Sequence, residues 1–204
     1  MKRIIGLSGV AGAGKDLFYT LLSKRIKCER YAFADELKEE VHDWCHQNYN
    51  ICTIDCRGEE KQKIRPLLVF HGKMRRDSSK GRYWIEKLKE KMNWWEASNP
   101  FWESSTGLDV VTDVRYNAYE SDEVHFIKEE LKGSLVHISQ YTTSEHEWKG
   151  GRKWQGPANE DEKKWDPVLK KLADYRVEWP KVDKENAEEK LIKYIDKFLV
   201  DFNK

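Results

Sequence analysis

Residues 3–16 read Arg3-Ile4-Ile5-Gly6-Leu7-Ser8-Gly9-Val10-Ala11-Gly12-Ala13-Gly14-Lys15-Asp16 and carry the strongest signal in the chain. The apolar run Arg3–Ser8, ended by Gly9, suits a central parallel strand buried on both faces. Gly9 to Lys15 matches G-x-x-x-x-G-K, and Leu17, Phe18, Leu21, Leu22 and Ile26 then recur at helical spacing over Lys15–Lys27. The order is therefore strand, glycine loop, helix. Glycines let the backbone curl until several N–H groups face one anion, and the helix start adds the positive end of its dipole. Lys15 supplies a point charge to the β- and γ-phosphates of a nucleoside triphosphate. The candidate donor-binding residues are Gly9, Val10, Ala11, Gly12, Ala13, Gly14, Lys15 and Asp16. A serine or threonine usually follows the lysine and ligates Mg²⁺. Asp16 stands there instead, and its carboxylate oxygen suits the same hard cation directly or through water.

Outward from the loop, strands and helices alternate. Glu29–Phe33 suits a second strand, and Asp35 is placed to cap a helix over Glu36–Gln47. Asn48–Gly58 reads as a loop or insert. Ile64–Phe70 is apolar and helical, with a basic polar stretch from Lys73 to Arg82. Tyr83–Trp95 is a further helix, with Trp84, Leu88, Met92 and Trp95 on one side. Pro100 and Gly107 bracket a turn region before the strand Leu108–Thr112. Ser121–Leu131 fits a helix closed by Gly133, and Ser134–Ser139 a fourth strand. Tyr141–Trp165 is polar, contains Gly150 and Gly151, and reads as a mobile loop. Tyr175–Glu178 suits a fifth strand and Glu185–Phe202 an amphipathic closing helix. This order predicts an α/β fold of P-loop NTPase type: a parallel sheet of about five strands flanked by helices, with a lid or insert. One domain spans 1–204, with a helical acceptor-binding region over about 40–100 and a lid-like loop over about 141–165.

Asp113 follows the apolar run Leu108–Thr112 at the carboxyl end of a predicted parallel strand, where ligand crevices lie. It is a candidate for holding Mg²⁺ or its water shell together with Asp16. Arg115, two residues on, can grip a second phosphate in bidentate fashion. Lys15, Asp16, Asp113 and Arg115 are thus the candidate catalytic set. Arg65 and Arg76 flank the middle helices and are candidates for the acceptor phosphate, because phosphoryl transfer needs cations on both the moving and the accepting group. Phe33, Phe70 and Tyr116 are alternative candidates, by position, to stack on an acceptor base. Arg152 lies in the glycine-containing polar segment and can close over the donor.

Aromatics make up 12% of the 204 residues and nine are Trp, so the chain has the means to build a core and is not a disordered polar tract. Lys plus Arg number 37 against 36 Asp plus Glu, a net charge of +1, which offers no broad footprint for nucleic acid. No run of about 18 apolar residues suggests a membrane span. The N-terminus passes directly into a strand with no room for a signal peptide, so a cytoplasmic location is expected, with Cys28, Cys45, Cys52 and Cys56 as reduced thiols. His42, Cys45, His46, Cys52 and Cys56 fall within fifteen residues and leave a zinc site open, although their spacing is not that of paired C-x-x-C knuckles.

Several of these stretches resemble the bacteriophage deoxynucleoside monophosphate kinases. Ile4–Val10 running into Gly14-Lys15-Asp16 is similar to that family's phosphate loop, the aspartate after lysine included. Tyr31-Ala32-Phe33-Ala34-Asp35-Glu36-Leu37-Lys38 resembles the end of its second strand. Ile64-Arg65-Pro66-Leu67-Leu68-Val69-Phe70-His71-Gly72, with Arg76 and Tyr83-Trp84-Ile85, resembles its R-x-L-L-Q-x-x-G and Y-W segments. Val111-Thr112-Asp113-Val114-Arg115 resembles its second acidic strand, whose arginine is thought to face the monophosphate. The resemblance implies ATP as donor, Mg²⁺, a deoxynucleoside monophosphate acceptor, and the host cytoplasm if the chain is phage-encoded. A homodimer stays open. Val69 stands where glutamine is usual, Lys73 replaces a small residue, and the Glu178-Trp179 region lacks an asparagine. Two alternatives stay open as well: another P-loop small-molecule kinase, such as one acting on dephospho-coenzyme A, and an ATP-binding regulatory protein that transfers nothing.

Overall fold

The computed structural model describes residues 3–98, 107–143 and 151–203. Pro100, Gly150 and the side chain of Trp95 lie outside the described residues. In chain order the elements are β1 (Arg3–Ser8), α1 (Lys15–Ser23), β2 (Cys28–Tyr31), α2 (Phe33–Tyr49), α3 (Gly58–Ser78), α4 (Arg82–Ser98) and β3 (Leu108–Val111). They continue as α5 (Glu123–His125), which runs into a π-helical turn over Phe126–Glu130, then β4 (Ser134–Thr143), β5 (Arg152–Trp154), α6 (Glu160–Leu172), β6 (Tyr175–Pro180) and α7 (Ala187–Phe202).

Parallel pairing sets the strand order β2-β3-β1-β4-β6. β1 is central, with Gly6 paired to Val111 on one edge and to Leu135 on the other. Its carboxyl end therefore releases the glycine loop into the middle of the sheet's ligand-facing edge. The apolar strands alternate between two cores, as a sheet covered on both faces requires. Ile5, Leu7, Val110 and Ile138 pack with Phe18 of α1 and Leu191 and Phe198 of α7. Val111 and Leu135 face the other way, against Leu88 of α4, Phe126 and Ile127 of the π-helical turn, and Leu169 of α6. This is the α/β, P-loop NTPase-type architecture expected from the sequence.

The structure departs from the sequence reading at four places. Among the described residues the sheet has six strands, because β5 adds antiparallel to the far end of β4. Tyr141 pairs with Pro180 on one edge and Trp154 on the other, so β5 continues past the end of β1, and Gln155 just after it reaches the glycine loop at Gly12. The stretch 141–165 is accordingly not one loop. It holds the end of β4, all of β5 and the first turns of α6, which Asn159 caps by accepting the Glu162 N–H at 2.8 Å. α3 absorbs most of the basic stretch after Gly72 and runs unbroken to Ser78, with Pro66 inside it. α2 begins at Phe33, earlier than predicted, and Asp35 does not cap it. Asp35 pairs instead with Arg30 and Lys38.

The cluster of His42, Cys45, His46, Cys52 and Cys56 also resolves. Cys45 is fully buried, and Cys56 packs with Ile51 and Ile64 in a small apolar cluster. Burial pushes the Cys45 thiol up, which disfavours the thiolate a metal needs. Among the described residues, no three His, Cys, Asp or Glu side chains are grouped to hold a metal ion.

Candidate active site

The loop between β1 and α1 is shaped by three glycines at positive φ: Gly9 at 134°, Gly12 at 79° and Gly14 at 94°. Two of them also have no room for a side chain. A Cβ on Gly9 would stand 2.3 Å from the Ile138 carbonyl oxygen, and one on Gly14 would stand 2.8 Å from Cζ2 of Trp179. Trp179 is wholly buried beneath the loop, and its indole N–H donates to the Ala13 carbonyl at 2.9 Å. No side chain caps the start of α1, so its first amides stay open to an anion. Lys15 Nζ turns back on the loop, donating to the carbonyls of Gly9 and Val10, the latter at 3.1 Å. Burial holds the Lys15 ammonium below its ordinary pKa, and the nearby Arg115 charge pushes the same way against Glu162, Asp113 and Asp16. An anionic ligand at this point relieves both costs.

Of the two predicted metal residues, Asp16 is exposed in the first turn of α1 and faces solvent. Asp113 is buried and already engaged: its two oxygens accept the N–H groups of Phe33 and Ala34, each at 2.9 Å. It caps α2 from a distance, since Ala32 at the N-cap offers no side-chain acceptor. Among the described residues, the predicted pair thus supplies one free carboxylate beside the loop and no cage. That suits a Mg²⁺ ion arriving on nucleotide phosphates with most of its waters, rather than one held by protein alone.

The arginines divide sharply. Arg115 is exposed just past β3, close enough to Lys15 to depress its pKa, and its guanidinium has no hydrogen-bond or ion-pair partner among the described residues. Its backbone is pinned: Glu123 accepts the N–H groups of Arg115 at 2.6 Å and Tyr116 at 3.0 Å. Arg76, predicted to grip the acceptor, is buried instead between Asp122 and Glu123, with Tyr116 stacked 4.0 Å from its guanidinium carbon. It ties α3 to the loop that carries Arg115. Two buried carboxylates share that one guanidinium, so burial pushes Glu123 up to about 8 despite the pull of Arg76. Arg65 is exposed on α3, with no ion pair or hydrogen bond tying it to the loop. Phe33 is buried against Phe126, ring centroids 6.3 Å apart, and is not free to stack on a base. Arg152 lies on β5 and stacks on Tyr141 at 4.5 Å.

Sequence reasoning missed the residues that arrive from the carboxyl-terminal third. Glu162 brings both carboxylate oxygens to 3.2 Å from the Ala11 N–H. The Gln155 side chain lies 3.6 Å from where a Gly12 Cβ would be. His137, 2% exposed in β4, is held between Asp166 at 3.0 Å and Ser139 at 3.2 Å. The Asn159-x-x-Glu162 spacing was the available signal for α6 and Glu162. Nothing local marked Trp179. Beside the loop, a cavity of 290 Å³ opens between the end of β4, β5 and Lys181, walled by Tyr141, Trp154 and Gln155.

No family profile matches the chain, and no curated protein matches it in sequence. Among solved structures, dephospho-CoA kinase from Campylobacter jejuni is similar at a TM-score of 0.47 and 13% identity, over 97% of this chain and 98% of that one. Shikimate kinase from Acinetobacter baumannii, solved with shikimate, is similar at a TM-score of 0.41 and 13% identity, over 98% of this chain and 94% of that one. A sugar kinase from Janibacter sp. gives 0.41 and 12%, over 96% and 95%. Likenesses this loose assign nothing to the chain by themselves, and the fold rests on the strand order and the loop geometry above.

Proposed function

We propose that the chain is a P-loop phosphotransferase that moves the γ-phosphoryl group of ATP to a deoxynucleoside monophosphate. The observation that carries this reading is Lys15, folded back on the carbonyls of a glycine loop at the start of α1, beside an Arg115 guanidinium with no hydrogen-bond or ion-pair partner among the described residues. One cation sits with the donor phosphates and the other stands where an acceptor phosphate would arrive. Arg115 fits any phosphorylated acceptor, and the choice of a deoxynucleoside monophosphate rests on the sequence resemblance.

In this reading the donor phosphates take the N–H groups of Ala11, Gly12, Gly14 and Lys15, since the Ala13 N–H already donates to the Val10 carbonyl at 3.1 Å; Lys15 swings from the Gly9 and Val10 carbonyls onto the β- and γ-oxygens. Asp16 is the residue that would hold Mg²⁺, which when bound would supply charge neutralisation to the donor phosphates. The cavity walled by Tyr141 and Trp154 lies on the β4–β6 side of the loop and can take the donor base. The acceptor phosphate is already an anion at neutral pH, so the chain's contribution is alignment and charge rather than a general base. Asp113 and Glu123 act by fixing α2 and the Arg115 backbone. The test is transfer of labelled γ-phosphate from ATP to deoxynucleoside monophosphates. Lys15→Ala is expected to abolish transfer with the fold intact, and near wild-type turnover in that variant would overturn the assignment.

A further inference from the structure

We propose that Glu162 is a built-in occupant of the donor phosphate site, exchanged for a nucleotide phosphate when the donor binds. This rests on the reading of the glycine loop as that site. Ala11 stands exposed at the crest of the loop, where its N–H is a donor the loop would offer a phosphate. In the structure both Glu162 oxygens lie 3.2 Å from that nitrogen. The carboxylate is not there by accident of a long side chain. Asn159 fixes the Glu162 backbone at 2.8 Å, and the Ala158 N–H holds Oε2 at 2.8 Å, so the side chain is aimed from both ends. It also faces Lys15, whose ammonium it stabilises electrostatically. A mobile acid elsewhere on α6 would do neither.

An anion on a loop N–H, facing the loop lysine, occupies ground that a phosphate oxygen would take. The same turn of α6 carries Asp161, whose carboxylate is 3.4 Å from the Tyr116 hydroxyl beside Arg115. The first turn of α6 therefore spans both halves of the site. Donor binding breaks the Glu162 contact, so each nucleotide binds against a resting competitor carried by the chain itself.

The test is isothermal titration of ATP·Mg²⁺ and, separately, of inorganic tripolyphosphate, which has no base to find other contacts. Glu162→Gln keeps the shape and the Asn159 cap, which acts on backbone; Glu162→Ala removes the competitor outright. Both variants are expected to bind both probes about tenfold more tightly than wild type, the factor that 1.4 kcal/mol of released competition represents. Equal or weaker binding in the two variants overturns the proposal and makes Glu162 a helper of the donor instead. No binding of either probe by any of the three proteins overturns the donor-site reading, and this inference with it.

Discussion

Asp113 was expected to hold metal, and its geometry instead makes it a fastener of α2, which predicts a stability loss with no ligand present. Both of its oxygens accept backbone N–H groups at 2.9 Å, and the side chain is buried. A hydrogen bond to a charged group is worth about 1.5–3 kcal/mol. Asp113→Ala removes two, and water can reach the half-buried Ala34 amide, which favours the lower end: about 3 kcal/mol. That loss lowers the melting temperature by about 6–12 °C for a chain of this size. Asp113→Asn keeps one acceptor and turns an NH₂ toward the second amide, so its cost is about half as large. The assay is urea unfolding in EDTA, comparing midpoints at constant slope. A residue whose only task is to ligate metal would leave the metal-free protein unchanged, or stabilise it when removed from among other acids. An Asp113→Ala variant within about 0.5 kcal/mol of wild type in EDTA, the usual range for a surface substitution, would refute the capping role.

Trp179→Phe is expected to cost about 1–3 kcal/mol, because it strands the buried Ala13 carbonyl. It should also weaken ATP binding, and calorimetry and thermal unfolding read the two effects separately. Gly14→Ala should be worse, since its Cβ meets Trp179 at 2.8 Å on top of the strain at positive φ. Trp179→Phe should recover part of that loss in the double variant, a coupling seen in a mutant cycle. Glu123 sits at about 8 in the fold against an ordinary carboxylate value when unfolded, so the native state holds the extra proton between those limits. Stability should therefore fall as pH rises from about 5 to 8, and the fall should flatten in Glu123→Gln. Urea midpoints across that range check it, and a wild-type curve no steeper than the variant's would contradict it.

The phosphate loop was legible because its determinants are local: three glycines, one lysine, an apolar strand before and an apolar stripe after. The parallel sheet followed from the same alternation of short apolar runs and helical periods. The roles of the arginines were not legible. Arg76 and Arg115 look alike in sequence, and what separates them is a pair of acids 46 and 47 residues beyond Arg76 that the fold brings to one of them. Asp113 was read as a ligand for the same reason, since the amides it caps are 80 and 79 residues away. Helix α6 was missed although its cap was in plain view. It buries only Leu169 completely, carries Pro167, and is polar overall, so its few apolar positions were hidden within a polar segment although they share one face. Trp179 lies 166 residues from the carbonyl it serves, and no local rule connects a strand-end tryptophan to a glycine loop.

The most direct test of the central claim is coupled ADP release from ATP·Mg²⁺ against the four common deoxynucleoside monophosphates, with dephospho-coenzyme A and no acceptor as further arms. The account predicts ADP release that depends on one or more of the monophosphates and vanishes in Lys15→Ala. Release with dephospho-coenzyme A alone would contradict the acceptor assignment, and silence on every arm while ATP still binds would contradict phosphoryl transfer itself.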